Sequence, residues 1–337
     1  MNSQNQHQGY EAGTYVLTCD LATRIRALRQ IGIKTPEAED PVFVRFHNEL
    51  VRRIKAGLPN DHLRVIKMDD LADKILAVAL MKKTSLKRAT VVSSCVEIAA
   101  PRRGHTIEIN RIIDKDGRII GWGPRPGHPT LDEQLDAITT VPQPVVLVED
   151  GSFSGRTLAH VLNKMKRRSI EVEAVVVGLG FPEALKTIRE EFGGEIIVVE
   201  HLDRLIDWMP DHDFMPFTPN CGRIFGFPMN GDALPFYTYN GASYSVPYIL
   251  PFCPVKEMGE WTSIPQKDCM SISLFCLQSA IELFFLLEQL NERQIKIGDL
   301  MGVQPAISIP IALGQQTFPR LDERVVDYLT TMCRRGL

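Results

Sequence analysis

The middle of the chain alternates between apolar runs and segments whose apolar residues recur every three or four positions. The runs predict strands at Val145–Val148, Val172–Leu179 and Glu195–Glu200. The segments between them predict helices at Arg156–Arg168 and Pro182–Phe192. Because strands that are apolar on both faces need cover on both sides, the alternation indicates an α/β fold with an open parallel sheet and helices on both faces.

The preceding residues show mainly helical spacing. They predict helices at Asp20–Ile31, Asp40–Ala56 and Asp69–Lys82, the first two beginning with a capping aspartate. A run of strand formers follows at Ala89–Val96, and Thr106–Trp122 predicts two strands joined by a turn at Lys115–Gly117. The chain is therefore expected to reach the parallel sheet through a helical segment and one hairpin.

The composition changes after Asp207, where prolines and aromatic residues are concentrated and regular elements are hard to sustain. We expect a loop-rich cap there, followed by C-terminal helices at Met270–Leu290 and Asp322–Arg334. The boundaries predict three parts: a tail and helical segment at 1–60, the α/β core at 61–207, and the cap with the C-terminal helices at 208–337.

The predicted helix Met270–Leu290 is apolar enough to resemble a membrane span, but it contains Gln278, Glu282 and Glu288. A carboxylate near the centre of a membrane span costs about 2.5–3.5 kcal/mol on insertion scales. We therefore expect a buried core or subunit-interface helix, with no membrane partner.

Charge and cysteine usage narrow the classes of protein. The 337 residues carry a formal net charge of −3, with 44% hydrophobic and 23% charged residues. This profile is typical of a soluble globular protein, and it lacks the positive field that would attract nucleic acid. The seven cysteines form no C-x-x-C pair and suggest neither disulfides nor a zinc site, so we expect reduced thiols in a cytoplasmic protein.

The segment Val145–Leu158, with the sequence VVLVEDGSFSGRTL, carries the clearest chemical signal. A buried strand ends in Glu149 and Asp150, a loop of small residues follows, and a helix begins near Arg156. Ligands of open α/β sheets bind at the carboxyl ends of the strands. Backbone N–H groups of the loop, the helix dipole and nearby hydroxyls together suit a phosphate monoester.

Two other nucleotide-binding patterns fit less well. A Walker A loop needs G-x-x-x-x-G-K-[ST], but Gly151 and Gly155 are one residue too close and Arg156 stands where lysine is required. Gly178-Leu179-Gly180 follows a strand, but Glu183 stands where a dinucleotide fingerprint has its third glycine. The sequence therefore favours neither an NTPase loop nor a Rossmann dinucleotide site.

The segment Val145–Thr157 resembles the motif with which type I phosphoribosyltransferases bind 5-phosphoribosyl-1-pyrophosphate (PRPP). The order and spacing match: an apolar strand, an acidic pair, three residues, a small residue, glycine, any residue, and Thr or Ser. The resemblance extends over Leu63–Leu205, and it departs from the usual pattern at Gly151-Ser152-Phe153. It implies the open parallel sheet of that family.

The resemblance also implies roles for individual residues. Glu149 and Asp150 would hold the ribose hydroxyls and stabilise the positive charge that builds on the sugar as pyrophosphate leaves. The 5-phosphate would lie in the loop formed by Gly151, Ser152, Phe153, Ser154, Gly155, Arg156 and Thr157. The cofactor would be Mg²⁺, which neutralises the departing pyrophosphate, and no protein ligand is assigned to it.

The same family has a pyrophosphate loop after an early core strand and a mobile loop between later strands. Candidates for the pyrophosphate loop, with an exposed basic turn as the alternative, are Ser93, Ser94, Arg102 and Arg103. Candidates in the Gly/Pro-rich segment after the hairpin, which either closes over the site or is a plain surface connection, are Arg125 and His128.

The family often places residues that contact the acceptor base after the third parallel strand. Aromatic candidates for stacking on a base are Trp208, Phe214 and Phe217. Carboxylate candidates for accepting its N–H groups are Asp211 and Asp213. Ordinary packing is the alternative, because the aromatic residues lie beside prolines.

The sequence thus predicts a phosphoribosyltransferase-like protein that transfers the ribosyl 5-phosphate of PRPP to a nitrogen acceptor, such as a nucleobase or a related heterocycle. Two other hypotheses stay open. The domain is either a non-catalytic module that senses PRPP or a nucleotide, or an assembly component with the apolar helix and cap as its partner surface. We expect a homo-oligomer and no nucleic-acid partner.

Overall fold

The fold is described from a computed structural model. The residues that it describes are 13–58, 62–86, 89–94, 105–114, 118–229, 232–235, 244–250, 252–253, 263–307, 309–311 and 315–334. The predicted pyrophosphate-loop residues Arg102 and Arg103, and the predicted turn at Lys115–Gly117, lie outside these ranges.

Helices and strands alternate along most of the described chain. The helices are α1 (Leu21–Arg26), α2 (Pro41–Gly57), α3 (Met68–Leu86), α4 (Leu131–Ile138), α5 (Arg156–Arg167), α6 (Pro182–Glu191), α7 (Gln266–Asn291) and α8 (Val325–Arg334). The strands before the cap are β1 (Thr14–Cys19), β2 (Leu63–Lys67), β3 (Thr90–Ser93), β4 (His105–Thr106), β5 (Ile109–Ile113), β6 (Ile119–Pro124), β7 (Val145–Ser152), β8 (Val172–Gly180), β9 (Glu195–His201) and β10 (Leu205–Pro210). Those after it are β11 (Arg223–Met229), β12 (Asp232–Pro235), β13 (Tyr244–Val246), β14 (Ala306–Ile307), β15 (Ile309–Ile311) and β16 (Gln315–Thr317).

A five-stranded parallel sheet forms the centre of the α/β fold, in the order β4-β3-β7-β8-β9. After β3 the chain continues to β4 at one edge of the sheet, and it later returns as β7 on the opposite side of β3. The connections that leave β3 and β7 therefore run in opposite directions. Such a reversal of strand order opens a crevice at the carboxyl ends of the strands, where ligands of open α/β sheets bind. The predicted parallel sheet is confirmed.

Side chains of the central strands alternate between two apolar layers. Val146 and Val148 of β7 pack in the layer that includes α3 and residues of β1 and β2. Val145 and Leu147 pack in the opposite layer, against α4, α5 and α6. The central strand β7 is thus covered on both faces, which is why Val145–Val148 are all apolar.

A strand that the sequence did not predict, β1, lies at the centre of a second parallel sheet in the order β10-β1-β2. Through β1, the N-terminal segment pairs with β2 at the start of the predicted core and with β10 at its end. In addition, β10 crosses the predicted boundary at residue 207. Hydrogen-bonded strands therefore bridge the three parts into which the sequence divides the chain.

The predicted hairpin belongs to a third sheet, in the order β14-β13-β11-β5-β6 with β12 paired to β11. Strands β5 and β6 pair antiparallel, as predicted, and β5 also pairs parallel with β11 of the cap. The hairpin is thus attached to the cap, which brings the cap over the carboxyl ends of the central sheet.

The largest apolar cluster is built from both ends of the chain. Phe43 and Leu50 of α2 share it with Leu277 of α7 and Leu329 of α8. Phe217 from the cap lies in the same cluster, with its ring edge-on to Phe284 and Tyr328 at 6.3 and 5.7 Å. The N-terminal helices and the C-terminal helices therefore form one core.

Helix α7 is long and apolar enough to cross a membrane by length and composition. Its surroundings are nevertheless those of a core helix. Leu283 is fully buried, and Glu288 accepts hydrogen bonds from Arg324, the residue before α8, at 2.5 and 2.8 Å. Glu282 pairs with Arg45 of α2. Because these carboxylates have partners elsewhere in the helical core, we interpret α7 as a core helix, one of the two alternatives expected from the sequence.

Two leucines of α7 test this interpretation. Leu283→Ala is expected to lower the free energy of unfolding by about 2–5 kcal/mol, because it opens a cavity in the core. Leu290→Ala on the same helix is the matched control, with 38% of its side chain exposed, and is expected to cost less than about 1 kcal/mol. Urea unfolding measures both. Equal effects would show that the helix is not buried as described.

Candidate functional site

The two predicted carboxylates stand near the end of β7, at the crevice. Ser94, which follows β3, donates its hydroxyl hydrogen bond to the Glu149 carboxylate. The Asp150 carboxylate accepts from the backbone N–H of Gly151 at 2.7 Å. The reversal of strand order between β3 and β7 thus brings Ser94 and the acidic pair together, although they are far apart in sequence.

Burial raises the pKa of Glu149 well above its ordinary value, and the negative charge of Asp150 raises it further. Ser94 and Arg125 oppose this shift, since both favour the charged carboxylate. Burial and mutual repulsion therefore make it unfavourable for both carboxylates to be ionised at once. A cation that enters beside the pair lowers this pKa and allows both carboxylates to ionise.

The loop that follows the acidic pair leads directly into α5. Gly155 has φ 75°, in the left-handed region, and it precedes the first turn without a side-chain hydrogen bond capping the helix. A side chain at Gly155 would also meet the backbone of Ala184. The N–H groups of this turn therefore point to an anion site, and α5 with 12 residues is long enough to have a developed dipole.

Most of the predicted loop residues line one cavity of about 430 Å³. Those at its wall are Gly151, Ser152, Phe153, Ser154, Gly155 and Thr157. Arg156 is exposed and does not line the cavity, because it begins the helix on the side that faces solvent. The structure thus places six of the seven predicted loop residues at the wall and the side chain of Arg156 outside it.

Trp122 of β6 holds this loop from the hairpin side. Its indole Nε1–H donates to the Thr157 hydroxyl at 2.9 Å, and its ring stacks on His160 of α5 at 4.9 Å. Thr157 accepts this bond, so its own O–H is left to donate to another group. No local sequence pattern identifies Trp122, because its role depends on the packing of the hairpin against α5.

The opposite wall of the cavity comes from β10 and the cap. Trp208 and Asp213, two of the predicted acceptor contacts, lie in this wall. The indole Nε1–H of Trp208 donates to Thr18 of β1 at 3.2 Å, and the ring covers Gly151. Asp213 accepts from the backbone N–H of Gly222 at 2.7 Å. The Trp208 ring thus packs on the loop at Gly151, and the Asp213 carboxylate lies in the part of the wall that the cap supplies.

Asp211 and Phe214 are not at the cavity wall, which corrects their prediction as acceptor contacts. Asp211 is 1% exposed and accepts from the backbone N–H groups of Asp20 and Leu21 at 3.0 and 2.9 Å. Phe214 is fully buried and lies edge-on to Tyr248. The residues Asp211–Phe214 form a short 3-10 turn, in which successive side chains point in different directions. Phe217 is likewise a core residue.

Some of the predicted pyrophosphate and lid residues line the cavity, and others do not. Ser94 and Arg125 line the cavity, and the Arg125 Nε lies 3.4 Å from a carboxylate oxygen of Glu108. Ser93 is buried within β3 and does not reach the cavity, because neighbouring side chains of a strand point to opposite faces. His128 is exposed and does not line the cavity.

Several wall residues were not identified from the sequence. They are Arg111 of β5, Asp207 of β10, Arg223 at the start of β11, and Tyr248. Burial raises the pKa of Asp207 to about 6. Arg111 had one local signal, since it and Asn110 are the two polar residues between the isoleucines of β5, INRII. The other residues reach the cavity only because the cap folds over the sheet.

A Cys–His–Asp cluster lies outside this cavity. The Sγ of Cys19, a ring nitrogen of His47 and a carboxylate oxygen of Asp211 lie within 4.8 Å of one another. Burial, followed by the nearby charges of Asp211 and Asp20, raises the pKa of the Cys19 thiol. A thiol that keeps its proton is a poor metal ligand, and His47 binds Asp211 at 3.1 Å. We interpret the cluster as a hydrogen-bonded anchor for the start of α1.

No protein-family model matches the chain, and a comparison with curated proteins finds no match. The functional argument therefore rests on the geometry of the cavity and on the motif.

The contact between Trp208 and Gly151 can be tested with an added methyl group. Gly151→Ala is expected to lower the free energy of unfolding by about 1–3 kcal/mol, because the methyl overlaps the indole ring. Gly193→Ala is the matched control, since a methyl there meets no atom within 4 Å. Thermal unfolding and tryptophan fluorescence measure the two variants. An unshifted spectrum with unchanged stability would contradict the contact.

The raised pKa of Asp207 predicts a pH-dependent stability. An aspartate in the unfolded chain titrates near about 4. Since the folded pKa is about 6, the folded state binds the extra proton, and this group lowers stability as pH rises from about 4 to 6. Asp207→Asn is therefore expected to raise the free energy of unfolding at pH 7.5 by about 1–3 kcal/mol, with no effect below pH about 4.

Urea unfolding at the two pH values measures this difference. The control is Asp203→Asn, which makes the same change at an exposed position and is expected to alter neither value. A variant at Asp207 that is less stable at pH 7.5 would show that its charged carboxylate is stabilised by the neighbouring arginines, contrary to the prediction.

Proposed function

We propose that the protein binds PRPP in this cavity and transfers its ribosyl 5-phosphate to a nitrogen acceptor, as type I phosphoribosyltransferases do. One observation carries the proposal. The acidic pair at the end of β7 and the anion-binding turn before α5 open into one cavity at the strand-order reversal, which Trp208 also lines. A sugar phosphate needs both parts, since its hydroxyls suit carboxylates and its phosphate suits backbone N–H groups.

The residues of the loop act mainly by binding and positioning. The first turn of α5 and the hydroxyls of Ser152, Ser154 and Thr157 hold the 5-phosphate. Glu149 and Asp150 accept hydrogen bonds from the ribose hydroxyls. The reactive carbon C1 is thereby held against the acceptor, which converts a bimolecular step into one within a bound complex.

The transfer exchanges one bond at C1. The bond from C1 to the pyrophosphate oxygen breaks, and its electron pair leaves with pyrophosphate. A bond from C1 to the acceptor nitrogen forms, and the nitrogen then loses its proton. Positive charge builds on the sugar between these events, and the carboxylates beside it, Glu149 and Asp150, stabilise that charge when ionised.

The cavity also suits the cofactor that the family resemblance implies. Mg²⁺ prefers oxygen ligands and usually binds through one or two carboxylates, waters and substrate phosphates. Glu149, Asp150 and Ser94 supply such oxygen atoms at the wall. When bound, Mg²⁺ would neutralise the pyrophosphate, and the protein's part is to keep the acidic pair beside the sugar.

The cellular compartment of the protein is part of the same proposal. The described cysteines, Cys19, Cys221, Cys253, Cys269, Cys276 and Cys333, are all free thiols. Free thiols are typical of a reducing compartment, which supports a cytoplasmic protein. The homo-oligomer expected from the sequence stays a prediction.

Calorimetric titration of PRPP with Mg²⁺ tests the proposal. Wild-type protein is expected to bind PRPP, and Asp150→Asn is expected to weaken binding at least about tenfold, because a charged acceptor of the ribose hydroxyls is lost. Asp203→Asn is the matched control on the exposed loop after β9 and is expected to bind as the wild type does.

The outcomes separate the hypotheses. PRPP binding that leads to pyrophosphate release with a nitrogen heterocycle supports the transferase. PRPP binding without release across a panel of acceptors would identify a PRPP-sensing module instead. Wild-type protein that does not bind PRPP, or an Asp150→Asn variant that binds equally well, would reject the site.

A further inference from the structure

The loop between Asp150 and Thr157 supplies no group that can accept a proton from the second substrate. Its residues offer backbone N–H groups and hydroxyls, and its one ionisable side chain, Arg156, is a hydrogen-bond donor outside the cavity wall. Glu149 and Asp150 are assigned to the ribose hydroxyls. Because the proposed transfer requires the acceptor nitrogen to lose a proton, another part of the wall has to supply the group that takes it.

Two further carboxylates line the cavity, Asp207 of β10 and Asp213 of the short turn Asp211–Phe214. Asp207 accepts from the Trp208 N–H at 2.8 Å through Oδ1, and its Oδ2 is buried without a hydrogen-bond partner. The Asp213 side chain keeps 9% of its surface exposed. Its Oδ1 accepts from the Gly222 N–H at 2.7 Å, so Oδ2 remains for a donor in the cavity. Asp213 is therefore the better placed of the two.

A histidine that also lines the cavity fixes the Asp213 carboxylate. The Nε2 of His212 lies 3.3 Å from Oδ1 of Asp213, and its Nδ1 lies 2.8 and 2.7 Å from the two carboxylate oxygens of Asp20. Burial lowers the pKa of His212, but the negative charges of Asp20 and Asp213 outweigh burial and raise this pKa above its ordinary value. The ring therefore favours its charged form, which donates from both nitrogens and cannot itself take a proton.

Asp20 ties this arrangement to the N-terminal part of the chain. It lies between β1 and α1, is 5% exposed, and accepts from the Nε of Arg24 at 3.4 Å as well as from His212. Burial raises the pKa of Asp20, but His212 and Arg24 outweigh burial and bring it below its ordinary value. Each charge of this group thus faces an opposite one, so the group needs no ligand to balance it and serves to orient Asp213.

We propose that Asp213 is the catalytic base that takes the proton of the acceptor nitrogen, and that His212, held by Asp20, is the residue that positions it. The inference rests on the proposed function, since it deepens the same reaction. As the bond from C1 to nitrogen forms, the N–H bond breaks, its electron pair stays on the nitrogen, and an O–H bond forms at Oδ2 of Asp213. The proton passes to water when the products leave. A positioned base contributes about 10²–10⁴-fold to the rate.

Acceptors that differ in the acidity of their N–H group test this inference. The matched pairs are uracil with 5-fluorouracil, and hypoxanthine with 8-azahypoxanthine. In each pair the second compound has a similar size and gives up its proton more readily, so it needs less help from a base. Nicotinate completes the panel, because its ring nitrogen has no proton to lose. Pyrophosphate release from PRPP and Mg²⁺ gives kcat with each acceptor.

Asp213→Asn keeps an oxygen that can accept from the Gly222 N–H but removes the base. It is expected to lower kcat with uracil or hypoxanthine at least about 100-fold, and to lower kcat with the more acidic partner by a factor at least about threefold smaller. A residue with only a structural role would slow both members of a pair equally. The matched control is Asp203→Asn at an exposed position, which is expected to keep the kcat of the wild type.

His212→Asn tests the positioning role, since its amide can still donate to Asp20 but no longer reaches Asp213. It is expected to lower kcat with uracil or hypoxanthine at least about tenfold, again with a smaller loss for the more acidic partner. Circular dichroism and thermal unfolding confirm that each variant is folded. Asp213→Asn tests the base independently if His212→Asn does not fold.

PRPP titration into the same variants separates this inference from the proposed function. Asp213→Asn and His212→Asn are expected to bind PRPP within about twofold of wild type. The inference is overturned, while the PRPP site stands, by an unchanged kcat in Asp213→Asn, by an equal loss with both members of each pair, by wild-type turnover with nicotinate alone, or by PRPP affinity that falls at least about tenfold in Asp213→Asn. Wild-type protein that releases no pyrophosphate with any acceptor of the panel would reject the transferase itself, and this inference with it.

Discussion

The position of β7 between β3 and β8 is the constraint on which the site depends. Both edges of β7 are hydrogen-bonded, and its valines are buried in two separate layers. A shift of one residue would turn every side chain to the wrong layer, so the register is fixed by the core. The same register places Ser93 opposite Val148, so that Ser94 lies beside Glu149. The apolar packing that fixes this register therefore also places the acidic pair where Ser94 and the Gly151 N–H can donate to it.

The cavity combines charges that a protein interior does not favour by themselves. A carboxylate whose pKa is raised, Glu149, stands on one side, and an arginine in a crowded positive environment, Arg111, stands on the other. Groups with shifted pKa values cluster at functional sites, where burial and neighbouring charges act together. Apolar packing in the two sheet layers and in the shared helical core offsets the unfavourable free energy of holding Glu149 and Arg111 in the cavity wall.

Local sequence patterns were sufficient to predict the central sheet and the loop. They were insufficient where contacts between residues far apart in the sequence determine the structure. The strands β7, β8 and β9 were predictable because each is apolar on both faces, and the loop was predictable because its spacing is contiguous. Strand β1 was missed, since its identity depends on partners that lie about 50 and 190 residues away. Arg111 and Arg223 meet only through the pairing of β5 with β11. Around Asp211–Phe214, a single 3-10 turn decided which side chains face the cavity.

The shared core of the two chain ends sets an order of events during synthesis. Strand β1 leaves the ribosome early, but one of its two partners, β10, follows far later, and the apolar face of α2 waits for α7 and α8. The nascent chain therefore carries unpaired strand edges and uncovered apolar surface until β10, α7 and α8 have been synthesised. Non-local pairing of this kind slows folding and lengthens exposure to aggregation. The N-terminal helices thus complete their core only after α8 has left the ribosome.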